Sequence, residues 1–255
     1  MIPKIIHYCW FGREEKTKLV KKCIRSWKKY CPDYKIIEWN EDNYDIAAAP
    51  LFVRQAYDKR KWAFVSDYVR YYVVFEYGGI YMDTDVQIIK NIDFLLADTV
   101  FFGIQHLDLH PASGLGFGAV KGHGFIKELM GAYEGVSFIL SEGKYNQIPC
   151  PDRDYALFCR YGFKLSDEEQ ILTNGVHIYP TEFFCPWIKG NPFLKKTKNT
   201  VMIHWFAASW LGDEHRINRR KQQYFDYFIY VPNRFGMRVL GMKRYNRLKR
   251  IFGRR

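Results

Sequence analysis

Residues 62–75 read WAFVSDYVRYYVVF, an apolar or aromatic side chain at nearly every position. A helix without a polar face has no side to turn to water, so most of this one must be buried. It closes at Gly78-Gly79, as a helix C-terminus should, and the short apolar strand Ile80-Tyr81-Met82 follows at once. Asp67 and Arg70 are the only charges in the helical stretch; three apart, they share a face. Burying ions is costly unless they pair or bind something. Two readings stand: an internal ion pair, or Arg70 meeting a ligand phosphate while Asp67 takes a ligand hydroxyl or positions the guanidinium.

Around this helix the pattern alternates. Residues 2–10 read as a buried strand stopped by Phe11-Gly12, and 14–30 as an amphipathic helix with Leu19, Val20, Cys23, Ile24 and Trp27 on its apolar side. Residues 34–39 read as a second strand, which completes the strand-helix-strand unit of a parallel sheet. Further helices are predicted over 51–59, 61–77, 124–140, 154–161 and near 215–230, and strands over 86–89, 100–105, 116–120, 176–179 and 201–205. The segment 111–118 has three glycines at alternate positions and reads as a mobile or close-approach loop near an acceptor, or as a plain connection. The expected fold is an α/β single domain with a mostly parallel central sheet over residues 1–215, followed by a basic helical tail over 216–255.

Charge separates those two parts. Residues 1–215 hold 26 basic and 26 acidic side chains; residues 216–255 hold 13 basic ones and a single acid, Asp226, so the net +12 lies in the tail. The body is neutral and only the tail seeks an anionic partner. The six cysteines show no metal-site spacing, and the first residues carry no secretory pattern, so reduced thiols and a cytoplasmic location are expected.

Asp83-Thr84-Asp85 is the candidate site. Taken alone the pattern is weak, since about one D-x-D arises by chance in such a chain, and Asp152-Arg153-Asp154 is a second example. The first, however, follows a Gly-Gly break and an apolar strand, so its carboxylates emerge where a strand leaves a sheet, the edge at which α/β sheets bind ligands. Two carboxylates there can hold a divalent cation whose shell is completed by substrate phosphates and water.

Three blocks, Ile2 to Gly12, Ser66 to Arg70 continuing through Tyr77 to Asp85, and His204 to Trp210, resemble the signature blocks of glycosyltransferase family 32. That family covers bacterial capsular and lipopolysaccharide sugar transferases and yeast-type initiating mannosyltransferases, and is similar in its sugar-binding region to the large clostridial glucosylating toxins. The resemblance implies a GT-A fold and a nucleotide-sugar donor. It implies that Asp83 and Asp85 bind Mn²⁺ or Mg²⁺ with His204 as third ligand, and that Asp67 and Arg70 hold the donor sugar beside Tyr81. Trp10 would stack on the donor base, and Ser209 and Trp210 would lie near the β-phosphate. Where relatives often carry two consecutive histidines, this chain has Ile203-His204. UDP-galactose or UDP-glucose is the donor expected by analogy, with transfer in retention of configuration to a surface glycan on a lipid-linked carrier.

The tail fits this picture. From residue 234 onward basic residues alternate with apolar ones, and Leu248, Ile251 and Phe252 recur at helical spacing, as in a helix that lies on an anionic bilayer. A peripheral position on the inner membrane face is therefore expected, with nucleic acid the least favoured partner. The competing reading is a carbohydrate- or nucleic-acid-binding module whose metal has no catalytic role.

Overall fold

The structure, a computed structural model, describes residues 1–188 and 191–207. The expected helix near 215–230, the basic tail, Ser209 and Trp210 lie outside the described residues.

The chain starts with β1 (Ile5–Cys9), α1 (Lys18–Tyr30) and β2 (Lys35–Trp39), and β1 pairs with β2 in parallel, as the first 40 residues predict. Helix α1 starts later than its amphipathic pattern because Thr17 caps it, the hydroxyl accepting from the Val20 N–H at 3.3 Å; such a cap contributes about 1 kcal/mol. Two helices follow, α2 (Leu51–Asp58) and α3 (Trp62–Tyr77). Helix α3 is covered on most sides: Phe64, Val65, Val69, Tyr71, Val73 and Val74 are all buried.

Gly78 and Gly79 let α3 end and turn back into the sheet, with φ of 66° and 106°. A Cβ on Gly79 would lie 2.8 Å from the Ile5 carbonyl. Only glycine accepts both the backbone angle and that approach. Strand β3 (Gly79–Tyr81) then runs beside β1, and β4 (Val86–Ile88) follows the Asp-Thr-Asp segment. Next come β5 (Val100–Ile104), β6 (Pro111–Ala112), β7 (Phe117–Ala119), α4 (Gly124–Gly131), α5 (Cys150–Arg160), β8 (Gln170–Ile171), β9 (His177–Tyr179), the short α6 (Thr181–Phe184) and β12 (Met202–His204). Strands β10 (Trp187–Ile188) and β11 (Asn191–Leu194) pair antiparallel and belong to a second unit of the chain.

The central sheet has the order β2-β1-β3-β7-β5-β9-β8, with β6 on β5. Strands β1, β2, β3, β5 and β9 point one way; β6, β7 and β8 are antiparallel to their neighbours. Strand β1 alternates sides, as a strand buried on both faces must. Tyr8 meets Trp27 of α1 at 5.4 Å between rings, while Cys9 packs into the core that α3 shares. The aromatic residues Phe102, Phe117 and Phe158 close that core, with centroids of Phe102 5.0 Å from each of the other two.

Two predicted spans need correction. The helix expected over 124–140 ends at Gly131, and the chain turns at Gly135, where φ is +68°. Its backbone is then taken up by Gln55, whose Oε1 accepts from the N–H of Phe138 at 2.8 Å and of Ile139 at 3.1 Å. Helix α5 begins four residues earlier than the apolar pattern suggests, at Cys150, because Pro151 sits in its first turn, where no N–H is needed. The segment 111–118 is not a bare connection: it forms β6, a 3-10 turn and β7. All six cysteines are free, five of them buried, as expected. Among the described residues no helix is long and apolar enough to cross a membrane.

Candidate active site

Strand β3 lies mid-sheet, parallel to β1 on one side and antiparallel to β7 on the other. Asp83 and Asp85 leave its end, and the next strand, β4, carries the third member of the group to them. It pairs antiparallel with β12, setting His204 opposite Val86. Helix α1 holds β4 in place: Trp27 Nε1 donates to the Val86 carbonyl at 2.8 Å and the Ser26 hydroxyl accepts from the Ile88 N–H at 3.0 Å.

Asp83, Asp85 and His204 therefore converge, each with a ligand atom within 4.8 Å of the others. His204 Nε2 lies 3.2 Å from Asp85 Oδ1 and 4.0 Å from Asp83 Oδ2. Ligands of one octahedral cation of this size lie about 3–4 Å apart, so two carboxylates and an imidazole at these separations fit a single divalent ion. Ile203 replaces the first of the two expected histidines without harm to this set. It is buried on the opposite side of β12, because successive strand residues alternate faces.

Asp85 is oriented from behind. Its Oδ2 accepts from the Ala207 N–H at 2.7 Å, and its own carbonyl accepts from the Trp205 N–H at 3.0 Å. Burial disfavours the Asp85 charge, yet His204 and the Ala207 N–H outweigh it and hold the carboxyl below its usual range. Burial likewise opposes the His204 charge, and Asp85 reverses that, raising the imidazole above its ordinary value.

Arg70 joins Asp67, the other expected sugar-binding residue, to the acidic pair. Its Nη2 lies 3.0 Å from Asp67 Oδ1 and 3.3 Å from Asp83 Oδ1, and its guanidinium sits over the Tyr81 ring, 5.2 Å from the centroid. Tyr81 donates to Asp83 Oδ1 at 3.1 Å. Both readings offered for Asp67 and Arg70 thus meet in one arrangement: an ion pair three apart on α3 that reaches the acidic pair. Burial pushes the Asp67 carboxyl up to about 6 despite Arg70. The remaining nitrogens of Arg70 are also engaged, Nε with the Ser66 carbonyl at 3.2 Å and Nη1 with Ser113 Oγ and Cys150 Sγ, each at 3.1 Å.

Trp10 stands at the end of β1, half-buried, with Nε1 donating to the Glu14 carbonyl at 2.7 Å and Lys16 Nζ 5.4 Å from its ring. It is an edge residue and not a core tryptophan. Sequence reasoning missed Ser113, Cys150, Tyr71 and Asp154, which lie around Arg70, although the glycine spacing of 111–118 was a usable signal. Gly114 accepts from the Asp83 N–H through its carbonyl at 3.2 Å, and a Cβ on it would lie 2.4 Å from Asp83 Oδ2. This is the close-approach form of the segment. A second group, Asp108, His110 and Asp152, also has ligand atoms near one another, but Asp152 is half-exposed.

Residues 17–102 match the family described as "Glycosyltransferase sugar-binding region containing DXD motif". The chain is 32% identical over 136 residues to inositol phosphoceramide mannosyltransferase 3 of Schizosaccharomyces pombe, covering 51% of this chain and 36% of that protein. It is 30% identical over 109 residues to the mannosyl phosphorylinositol ceramide synthase SUR1 of Saccharomyces cerevisiae, covering 40% and 27%. The matched stretch is thus about a third of the length of these relatives. Among solved structures, a glycosyltransferase involved in glycosylation of the major capsid of PBCV-1 superposes with a TM-score of 0.50 at 12% identity, over 87% of this chain and all of that one. The fold is accordingly GT-A, and of the three sequence blocks the one from Ser66 to Asp85 lies within the matched DXD region.

Proposed function

We propose that this chain is a metal-dependent, retaining glycosyltransferase that moves a hexose from a nucleoside-diphosphate sugar to a hydroxyl of a glycan or lipid-linked acceptor. The observation that carries this reading is the convergence of Asp83, Asp85 and His204 at a strand end, with the Asp67–Arg70 pair hydrogen-bonded into the same group.

Asp83 Oδ2, Asp85 Oδ1 and His204 Nε2 would hold Mn²⁺ or Mg²⁺, which supplies positive charge for the diphosphate as it departs. Arg70 adds a fixed charge in a buried setting, where preorganised electrostatics contribute most. Asp67, paired with Arg70, offers its carboxylate to hydroxyls of the donor sugar. Trp10 would offer its ring to the base at the end of β1, and the family resemblance assigns Ser209 and Trp210 to the β-phosphate.

The leaving diphosphate needs no general acid. That separates this site from a hydrolase, whose two carboxyl groups flank the bond. Retention follows a front-face route in which the departing phosphate accepts the acceptor's proton. Closure against water protects the donor from hydrolysis. The yeast relatives are named for mannosyl transfer, so a nucleoside-diphosphate mannose joins UDP-glucose and UDP-galactose as the first donors to test.

A panel of nucleotide sugars with Mn²⁺ tests the reading. Native-state binding raises the melting temperature, and transfer releases a nucleoside diphosphate faster when an acceptor is present. Binding without release identifies a carbohydrate-binding module instead, and release of pyrophosphate a nucleotidyl transferase. The basic residues 216–255 place the enzyme on an anionic bilayer in this proposal; removal of residues after Pro232 shifts it from a liposome pellet to the supernatant, and unchanged partition removes the membrane claim.

A further inference from the structure

Behind Arg70 a line of buried polar groups runs away from the acidic pair. Arg70 Nη1 donates to Ser113 Oγ at 3.1 Å, Ser113 Oγ lies 2.9 Å from the Tyr71 hydroxyl, and Tyr71 donates to Asp154 Oδ2. Ser113 and Asp154 are each 2% exposed, Tyr71 is fully buried and Arg70 4% exposed. The single phenolic proton goes to the carboxylate, the stronger acceptor, which leaves the Ser113 proton to bind the phenol oxygen and a Ser113 lone pair to face Arg70.

We infer that Asp154, Tyr71 and Ser113 form a buried relay that fixes the Arg70 guanidinium against Asp83, which makes Asp154 a positioning residue of the donor site. The four groups come from three separate parts of the fold: α3 gives Arg70 and Tyr71, the turn between β6 and β7 gives Ser113, and α5 gives Asp154. Asp154 Oδ1 and the Tyr133 hydroxyl are buried without a hydrogen-bond partner among the described residues. A carboxyl group is therefore kept inside the protein at a cost that packing alone does not explain. Burial pushes it up to about 7. When Asp154 is protonated the proton order along the line reverses, and Ser113 still accepts from Arg70.

Orientation is what the relay contributes. Nη2 of Arg70 lies between two carboxylates, and Nη1 is held by Cys150 Sγ and by Ser113 Oγ; with the Ser113 hydroxyl no longer fixed by Tyr71, the planar group turns more readily about its Cζ–Nε bond. Misplacement of a charged group by about 1 Å costs on the order of a hundredfold in rate.

Tyr71→Phe cuts the line while keeping the ring that packs on Phe117. On the transferase reading, it lowers kcat about tenfold with donor KM changed less than about twofold, and in an Arg70→Lys background it changes kcat less than about twofold, because the relay acts only through the guanidinium. The same fall in both backgrounds overturns the proposal. A second arm needs no turnover: in ¹⁵N-labelled protein the Arg70 Nη signals are resolved by slow rotation in the wild type and merge in Tyr71→Phe and Asp154→Ala. Signals that stay resolved in both variants overturn the relay. Absence of turnover in the wild type with every donor rejects the transferase reading, and the spectra still decide the relay.

Discussion

Asp83-Thr84-Asp85 and Asp152-Arg153-Asp154 share a spacing, but the first leaves the end of a strand and the second lies within helix α5. At the strand end both carboxylates reach His204. On a helix, residues two apart are about 200° around the axis, and the pair separates: the Asp152 side chain is 52% exposed beside His110, while Asp154 is 2% exposed beside Tyr71. An Asp-x-Asp spacing becomes a ligand pattern only through the backbone that carries it. The two pairs nonetheless meet, since the relay from Asp154 ends on the arginine that faces Asp83.

Four substitutions sharpen or break this contrast. Asp85→Ala has the largest expected effect: kcat/KM for transfer falls about a thousandfold with an unchanged far-UV spectrum. Near wild-type activity with metal present would falsify the site assignment. Gly114→Ala comes next, because its Cβ displaces the Asp83 carboxylate from 2.4 Å; activity drops about tenfold and the Mn²⁺ concentration for half-maximal rate rises. An unchanged metal titration contradicts the close approach.

Asp154→Asn acts on stability and its pH dependence. Burial pushes the folded carboxyl up to about 7, against about 4 in an unfolded chain. Between those values the folded form keeps a proton that the unfolded chain releases, so the wild type is favoured below about pH 4 and loses stability as pH rises toward 7. Thermal melts of Asp154→Asn across this window decline less, by about 5 °C in midpoint. A parallel decline in both proteins contradicts the buried, protonated acid. Asp152→Ala has the smallest effect, less than about twofold on kcat/KM; a loss like that of Asp85→Ala would make the second pair a metal site too.

Much of this arrangement was legible in the sequence. The apolar girth of 62–75 required a buried helix, the Gly-Gly break located β3, and of the residues the three blocks named, Asp67, Arg70, Tyr81, Asp83, Asp85 and His204 converge in the structure, while Trp10 stands at the end of β1 against Glu14 and Lys16 and Ser209 and Trp210 lie outside the described residues. Periodicity does not reveal long-range polar closure. Ser113 and Cys150 lie 43 and 80 residues from Arg70 in sequence, and nothing local marks either as its partner. Asp154 was visible only as half of an Asp-x-Asp pattern, and its burial depends on which face of α5 meets α3. The backbone beyond α4 is closed by Gln55, 83 residues before Phe138, a contact that no window of sequence contains.

Electron spin-echo spectroscopy of Mn²⁺ with a nucleoside diphosphate tests the cation site most directly. One tightly held ion with a ¹⁴N coupling that disappears in His204→Ala, and loss of that ion in Asp83→Ala and Asp85→Ala, is the predicted result. An Mn²⁺ spectrum indifferent to all three substitutions contradicts it.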